Sequence, residues 1–250
     1  MKISQSDRII VLFREGFRFG LFFDFGSDGH LDIESAKRDL GTLARTMQYA
    51  DIYAALADKD VFKRVVAAGW FPFIEVMGKE FKDLHDACAA GFPLDEAEAN
   101  IADKFTSERL DRMFDRWMSK PHMKEKEIIL RSGLNAYKHG DWVACLKVVL
   151  TEIEGIIADA YLRETGQRTR KIETLLDFTV DVAAKMAGGR DTLFFPVEFA
   201  DYLKNYTYAD SERQNVGRNA VGHGRAKAEH YTQTRALQAL LTLDQFAFYS

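Results

Sequence analysis

Hydrophobic and polar residues alternate near the amino terminus. Phe17, Phe19, Leu21, Phe23 and Phe25 are interleaved with Arg18, Gly20, Phe22 and Asp24, and a period of two predicts a short strand or hairpin. A helix over residues 8–23 competes with that reading, and Gly16 and Gly20 count against it by roughly 1 kcal/mol each. From Asp32 the period lengthens. Ala36, Leu40, Leu43, Met47, Ala50 and Ala54 recur at three- and four-residue steps, which predicts one long helix. Ile74, Met77, Phe81, Leu84 and Cys88 form a second stripe, closed by Gly91 as a C-cap. Leu110, Met113, Phe114 and Trp117 form a third behind a Thr106 N-cap.

Pro72, Pro93, Pro121 and Pro196 fall between these patterns, where a missing N–H costs least. After Pro121, residues 127–139 predict a helix, Gly140 and Asp141 a tight turn, and residues 142–161 a second arm. In that arm Trp142, Cys145, Leu146, Val149, Leu150, Ile153, Ile156, Ile157 and Ala160 make one broad apolar stripe, with Glu154 at its edge. Further helices are predicted over 172–186, over 197–206 after the Gly188-Gly189 break, and over 231–248. The expected architecture is mainly all-α. It has a helical amino-terminal region over residues 1–120, carrying the hairpin, and a helical bundle over residues 121–250.

Composition narrows the class. A 250-residue chain that is 47% hydrophobic can build its core without disulfides or metals. Cys88 and Cys145 both fall on apolar stripes, where a thiol acts as a small hydrophobe, and a reducing cytoplasm suits them. Apolar runs of about five residues are far short of the ~20 that cross a bilayer, so no membrane partner is expected. The net charge of −4 disfavours coating long duplexes through a broad cationic face, though not a small local nucleic-acid site. The sequence lacks HExxH, paired CxxC, GxxxxGK[ST] and GxSxG motifs, so no metal and no cofactor is expected. His30 and His85 stand alone, and His139 and His230 receive no role.

Chemistry concentrates in Arg218-Asn219-Ala220-Val221-Gly222-His223-Gly224. A helix opened by Asp210 or Ser211 would carry Arg218. Residues five apart on a helix point about 140° away from each other, so Arg218 and His223 converge only if the helix ends between them, a break that Gly222 permits and from which Gly224 turns the chain away. Between Lys204 and Arg235 there are six basic residues against three acidic ones, and Arg168 and Arg170 add a second patch in an interhelical loop. Either patch could receive phosphates or be a solvated face. Tyr206, Tyr208 and Tyr231 could stack on unpaired bases or belong to the core.

Arg218-Asn219-x-x-x-His223, placed just before the final helix, resembles the motif of the HEPN superfamily. The upstream hairpin with Thr151-Glu152-Ile153-Glu154-Gly155 resembles an acidic helix of relatives with the same final motif. The resemblance covers residues 121–250 and implies a four-helix bundle acting as a metal-independent endoribonuclease. It further implies a homodimer whose two motifs share one cleft, with RNA as substrate, and a toxin or anti-phage defence effector held by a regulatory protein partner or antitoxin. In that scheme Arg218, Asn219 and His223 are catalytic. Arg213, Arg225, Lys227 and Tyr231 touch substrate, and Glu154, Gly222 and Gly224 support the site. Histidines titrate near ~6.5, so two His223 imidazoles could share acid and base roles, while an arginine fork bridges phosphate oxygens. The alternative is a non-catalytic helical module that binds a nucleotide or a protein, with Arg218 paired to a nearby carboxylate and Gly222-His223-Gly224 capping a helix.

Overall fold

A computed structural model describes residues 9–15, 19–24, 41, 47, 49–187, 196–208 and 217–250. The chain divides into two compact units, Met1–Ala50 and Asp51–Ser250. In the first, strands β1 (Ile9–Glu15) and β2 (Phe19–Asp24) pair antiparallel, from Ile9 opposite Asp24 to Glu15 opposite Phe19. The alternating pattern is thus a hairpin arm, and the competing helix is not formed. Most of the helix expected from Asp32 lies outside the described residues. Tyr49 is a turn residue, so one unbroken helix through Ala54 is not formed. Helix α1 (Ala50–Ala57) follows it with Ile52 and Ala55 buried and Ala50 and Ala54 exposed; Met47, before the turn, is exposed too.

The second unit is helical throughout its described length. Helices α2 (Lys59–Ala67), α3 (Lys79–Ala90), α4 (Asp95–Asp103), α5 (Ser107–Met118) and the single turn α6 (Pro121–Lys124) lead into the hairpin of α7 (Glu127–Lys138) and α8 (Trp142–Thr165). Then come α9 (Ile172–Ala187), α10 (Pro196–Tyr202) running on as a π-helical turn (Leu203–Thr207), the short α11 (Arg218–Gly222), a 3₁₀ turn (Ala228–His230) and α12 (Gln233–Tyr249). Local signals account for the boundaries. Thr106 Oγ1 accepts from Arg109 N at 3.4 Å to open α5, Asp141 Oδ1 accepts from Ala144 N at 2.9 Å to open α8, and Gly91 in the left-handed conformation closes α3.

Helices α7, α8, α9 and α12 pack on one another as a bundle. The α8 stripe is buried from Cys145 to Ala160 as its periodicity predicts; Trp142, at its start, is half-buried and meets the Tyr137 ring edge-on at 5.1 Å. Helix α12 is buried on nearly every face, polar residues included, and those polar groups reach the segment before Pro121. Gln238 Nε2 donates to the Ala68 carbonyl at 3.0 Å, Gln245 Oε1 accepts from Ile74 N at 2.8 Å, and Asp244 accepts from Trp117 Nε1 at 2.8 Å and Arg116 Nη2 at 2.9 Å. Residues 51–120 therefore belong to the same core as the bundle. The chain divides at Ala50 rather than near Pro121, because α12 needs the earlier segment to satisfy its buried polar groups. Where that segment crosses α12, Gly69 (φ +87) leaves no room for a side chain, since a Cβ there would lie 1.9 Å from the Tyr206 hydroxyl.

His122 makes this core sensitive to acid. Its ring is buried edge-on to Phe246, with centroids 5.9 Å apart, and its Nε2 lies 3.1 Å from Ser250 Oγ. Burial, reinforced by Lys120 and Arg163, pushes the imidazole down to about 4. The unfolded imidazole takes a proton below ~6.5, whereas the folded one stays neutral until about pH 4. This contribution to stability is present above pH ~6.5 and is lost as pH falls toward 4, up to about 3 kcal/mol in all. In urea titrations between pH 7 and pH 5, His122→Gln should lose less stability than the wild-type protein. Equal losses would show that His122 is not the acid-sensitive group.

Candidate functional site

Helix α11 begins at Arg218, with Gly217 in extended conformation as its N-cap. Asp210 and Ser211, expected to open the motif helix, and Arg213, expected to touch substrate, lie outside the described residues. The far end of α11 falls at Gly222, where the break was expected. His223 N still donates to the Asn219 carbonyl at 3.0 Å, so the helical pattern runs through His223, which is the C-cap. Gly224 N then bonds to the Val221 carbonyl at 3.3 Å and Arg225 N to the Ala220 carbonyl at 2.8 Å. That pair of bonds, with Gly224 at φ +68, is a Schellman closure, and it is Gly224 that needs to be glycine. A Cβ on Gly222 would meet nothing within 4 Å. The last helical residue is thus Gly222, between Arg218 and the C-cap His223.

Arg218 turns toward α8. Its Nη2 lies 2.8 Å from Glu154 Oε2, with the two side chains 30% and 25% exposed, so the carboxylate at the edge of the apolar stripe is the anchor of the motif arginine. Asn219 is tied on both ends of its amide. Its Oδ1 accepts from Arg218 Nη1 at 3.3 Å and its Nδ2 donates to the Tyr208 carbonyl at 3.2 Å. Asn219 thus contacts the arginine and joins α11 to the residue after the π-helical turn. The Tyr208 hydroxyl and Arg218 Nε are buried beside this ion pair and have no hydrogen-bond partner among the described residues. Burial raises the Tyr208 hydroxyl above its ordinary range, the Glu154 charge adds to the rise, and Arg218 opposes it.

An ion pair exposed to this degree is worth about 1 kcal/mol or less. Glu154→Gln, which keeps the shape and removes the charge, should therefore lower stability by roughly that amount in urea denaturation. A loss several times larger would mean that Glu154 holds more of the core than Arg218.

The other expected site residues differ in exposure. His223 is exposed, as are Arg225 and Lys227 on the turn that follows, and Tyr231 is half-buried. Tyr206 is core, 3% exposed, stacked 5.3 Å from Tyr202 and donating its hydroxyl to Gln238 Oε1 at 2.6 Å. Arg235, in the first turn of α12, is buried with its guanidinium 3.9 Å over the Tyr206 ring. The anchoring partner that the sequence left unseen is the Tyr208 carbonyl, for which a backbone atom gives no residue-type signal. No group of three or more His, Cys, Asp or Glu side chains that could hold a metal occurs among the described residues. Nor, among those residues, is any helix long and apolar enough to cross a membrane.

No family model, curated protein or solved structure matches this chain.

Proposed function

We propose that the protein is a HEPN-type endoribonuclease that cleaves RNA without a metal, as a homodimer. The observation that carries this reading is the arrangement on α11. An exposed His223 caps a helix whose first residue, Arg218, is held by Glu154 and whose second, Asn219, is held by the Tyr208 carbonyl. Preorganised side chains on a short rigid helix suit a reaction in which positioning and charge stabilisation do most of the work. One imidazole removes the proton of the ribose 2′-hydroxyl, whose oxygen attacks phosphorus. The P–O5′ bond breaks, and a second imidazolium protonates the leaving oxygen. The products are a 2′,3′-cyclic phosphate and a 5′-hydroxyl. Arg218 stabilises the charge on phosphorus through guanidinium donors not used by Glu154. One chain supplies a single motif imidazole, and an acid and a base at one phosphate need two, so the reading requires a dimer. A toxin or anti-phage effector, restrained by a regulatory partner, is the setting that goes with it.

The test is cleavage of mixed tRNA and mRNA in EDTA by the wild-type protein, Arg218→Ala and His223→Ala, with product ends mapped and the dimer confirmed by mass. Loss in both variants and cyclic-phosphate ends are expected. The Arg218–Glu154 pair favours a second reading, a non-catalytic helical module that binds a nucleotide or protein, because it partly neutralises the motif cation. Under that reading none of the three proteins cleaves RNA, and His223→Ala retains biological activity.

A further inference from the structure

We infer that a hollow beside the α8–α9 loop is a binding subsite for one phosphodiester strand, leading along α8 to the Arg218–His223 motif. This inference rests on the nuclease reading for its substrate, while its geometry is independent of the catalytic residues. The hollow has a volume of about 460 Å³ and is lined by Ala158, Asp159, Leu162, Arg168, Thr169 and Arg170. Its chemistry is set by which charges are already paired. Arg163 is bonded to Glu125, Glu164 faces Lys185 at 3.0 Å, and Asp159 faces Lys126 at 3.7 Å. Arg168 and Arg170 are exposed, and among the described residues neither forms an ion pair. Glu164 is paired elsewhere, and Asp159, the one carboxylate of the lining, faces a Lys126 that it shares with Glu152 at 2.8 Å, while two guanidinium groups line the same concave surface, a donor arrangement that fits phosphate oxygens.

Its position relative to the motif gives the strand a direction. Glu154, Ala158 and Leu162 follow one another at four-residue steps on α8, so they share one face of that helix, about 12 Å from end to end. All three are half-exposed. Glu154 holds Arg218 at one end of this face, and Ala158 and Leu162 floor the hollow at the other. A few nucleotides of a single strand span such a distance. The protein's net charge of −4 makes such local pairs of arginines the means of gripping RNA, in place of a broad cationic face. Thr169 helps to fix the loop, because its Oγ1 accepts from Lys171 N at 3.1 Å and so holds the backbone between the two arginines and the start of α9.

The experiment uses the full chain and its Arg168→Gln/Arg170→Gln double variant. Binding of a short single-stranded RNA, its 2′-hydroxyls methylated to block attack, is followed by fluorescence anisotropy across a salt series. Two lost contacts to charged groups should weaken binding on the order of tenfold or more and reduce the slope of log K against log salt by about 1.4. With cleavable RNA, KM should rise by a similar factor with kcat unchanged, since the hollow touches no reacting atom. Affinity and slope both unchanged in the double variant would overturn the subsite, even if the wild-type protein cleaves RNA. RNA bound but not cleaved, with binding lost in the double variant, would refute the nuclease reading and uphold the subsite. Failure of the wild-type protein to bind RNA would refute both. Displacement of the strand by inorganic phosphate as efficiently as by unlabelled RNA would identify a free-anion site and overturn the strand path.

Discussion

His223→Ala is expected to lower the rate of RNA cleavage in EDTA by roughly 10²- to 10⁴-fold, the range that a positioned acid or base contributes. The substitution should leave the fold intact. His223 is exposed, its contribution to α11 is a backbone N–H to the Asn219 carbonyl, and alanine keeps that bond. Unfolding free energies in urea within about 0.5 kcal/mol of the wild-type value are therefore the control. Arg218→Ala should depress cleavage as well, with a stability loss of about 1 kcal/mol, since Glu154 then stands half-buried without its cation. Cleavage that persists at the wild-type rate in His223→Ala would exclude the imidazole from the chemistry and move the assignment to the non-catalytic module. A mixed-dimer experiment adds resolution. If two imidazoles share the acid and base roles across the two-fold axis, a dimer mixed from wild-type and His223→Ala chains keeps only one and should be about as slow as the His223→Ala homodimer.

Asp244→Ala should cost about 1–3 kcal/mol, the usual consequence of leaving a buried donor without its acceptor. Asp244 is 1% exposed. Its Oδ1 accepts from Trp117 Nε1 at 2.8 Å, its Oδ2 accepts from Arg116 Nη2 at 2.9 Å, and Arg116 also bonds Glu75. Both partners are shifted upward, for different reasons. Burial pushes the Asp244 carboxyl up to about 6 against the pull of Arg116. Arg116, at the surface end of the pair, is held more firmly protonated because the attraction of Asp244 and Glu75 outweighs its burial. Truncation at Asp244 leaves the Trp117 N–H without an acceptor in the core, and an unmade buried hydrogen bond costs more than a made one contributes. Asp244→Asn, which keeps an acceptor, should be the milder change. The measurement is the free energy of unfolding in urea at pH 7.5, and a loss below about 1 kcal/mol for the alanine variant would show that α12 does not depend on this pair. The same bonds predict that a chain beginning at Pro121 will not fold as an independent bundle. Such a chain lacks Trp117, Arg116, Ala68 and Ile74, which satisfy Asp244, Gln238 and Gln245.

These two sites mark where sequence reading succeeds and where it stops. The positions of α3, α5, α7, α8 and α9 were legible because a helix buries one face at a fixed period, and Thr106, Asp141 and Gly91 announce their termini within a few residues. The candidate residues on α11 were legible for a similar reason, since an arginine, an asparagine and a histidine close together form a pattern of residue types. The end of the helix at Gly222 and the turn at Gly224 agree with the reading of the motif. Two glycines flank His223, and only the hydrogen bonds to Ala220 and Val221 single out Gly224 as the left-handed one.

By itself the sequence determined what depends on neighbours along the chain: the helical periods, the capped ends, the hairpin turn at Gly140-Asp141 and the presence of Arg218, Asn219 and His223 on one short segment. The tertiary structure decided what depends on partners far away. It chose Glu154 as the anchor of Arg218 and the Tyr208 carbonyl as the anchor of Asn219, and it joined residues 51–120 to the bundle through Asp244, Gln238 and Gln245. Periodicity fixes which face of a helix is buried, but many faces could cover it equally well. The choice among them is made by where each buried polar group finds a partner, and those partners lie up to 171 positions away in the chain.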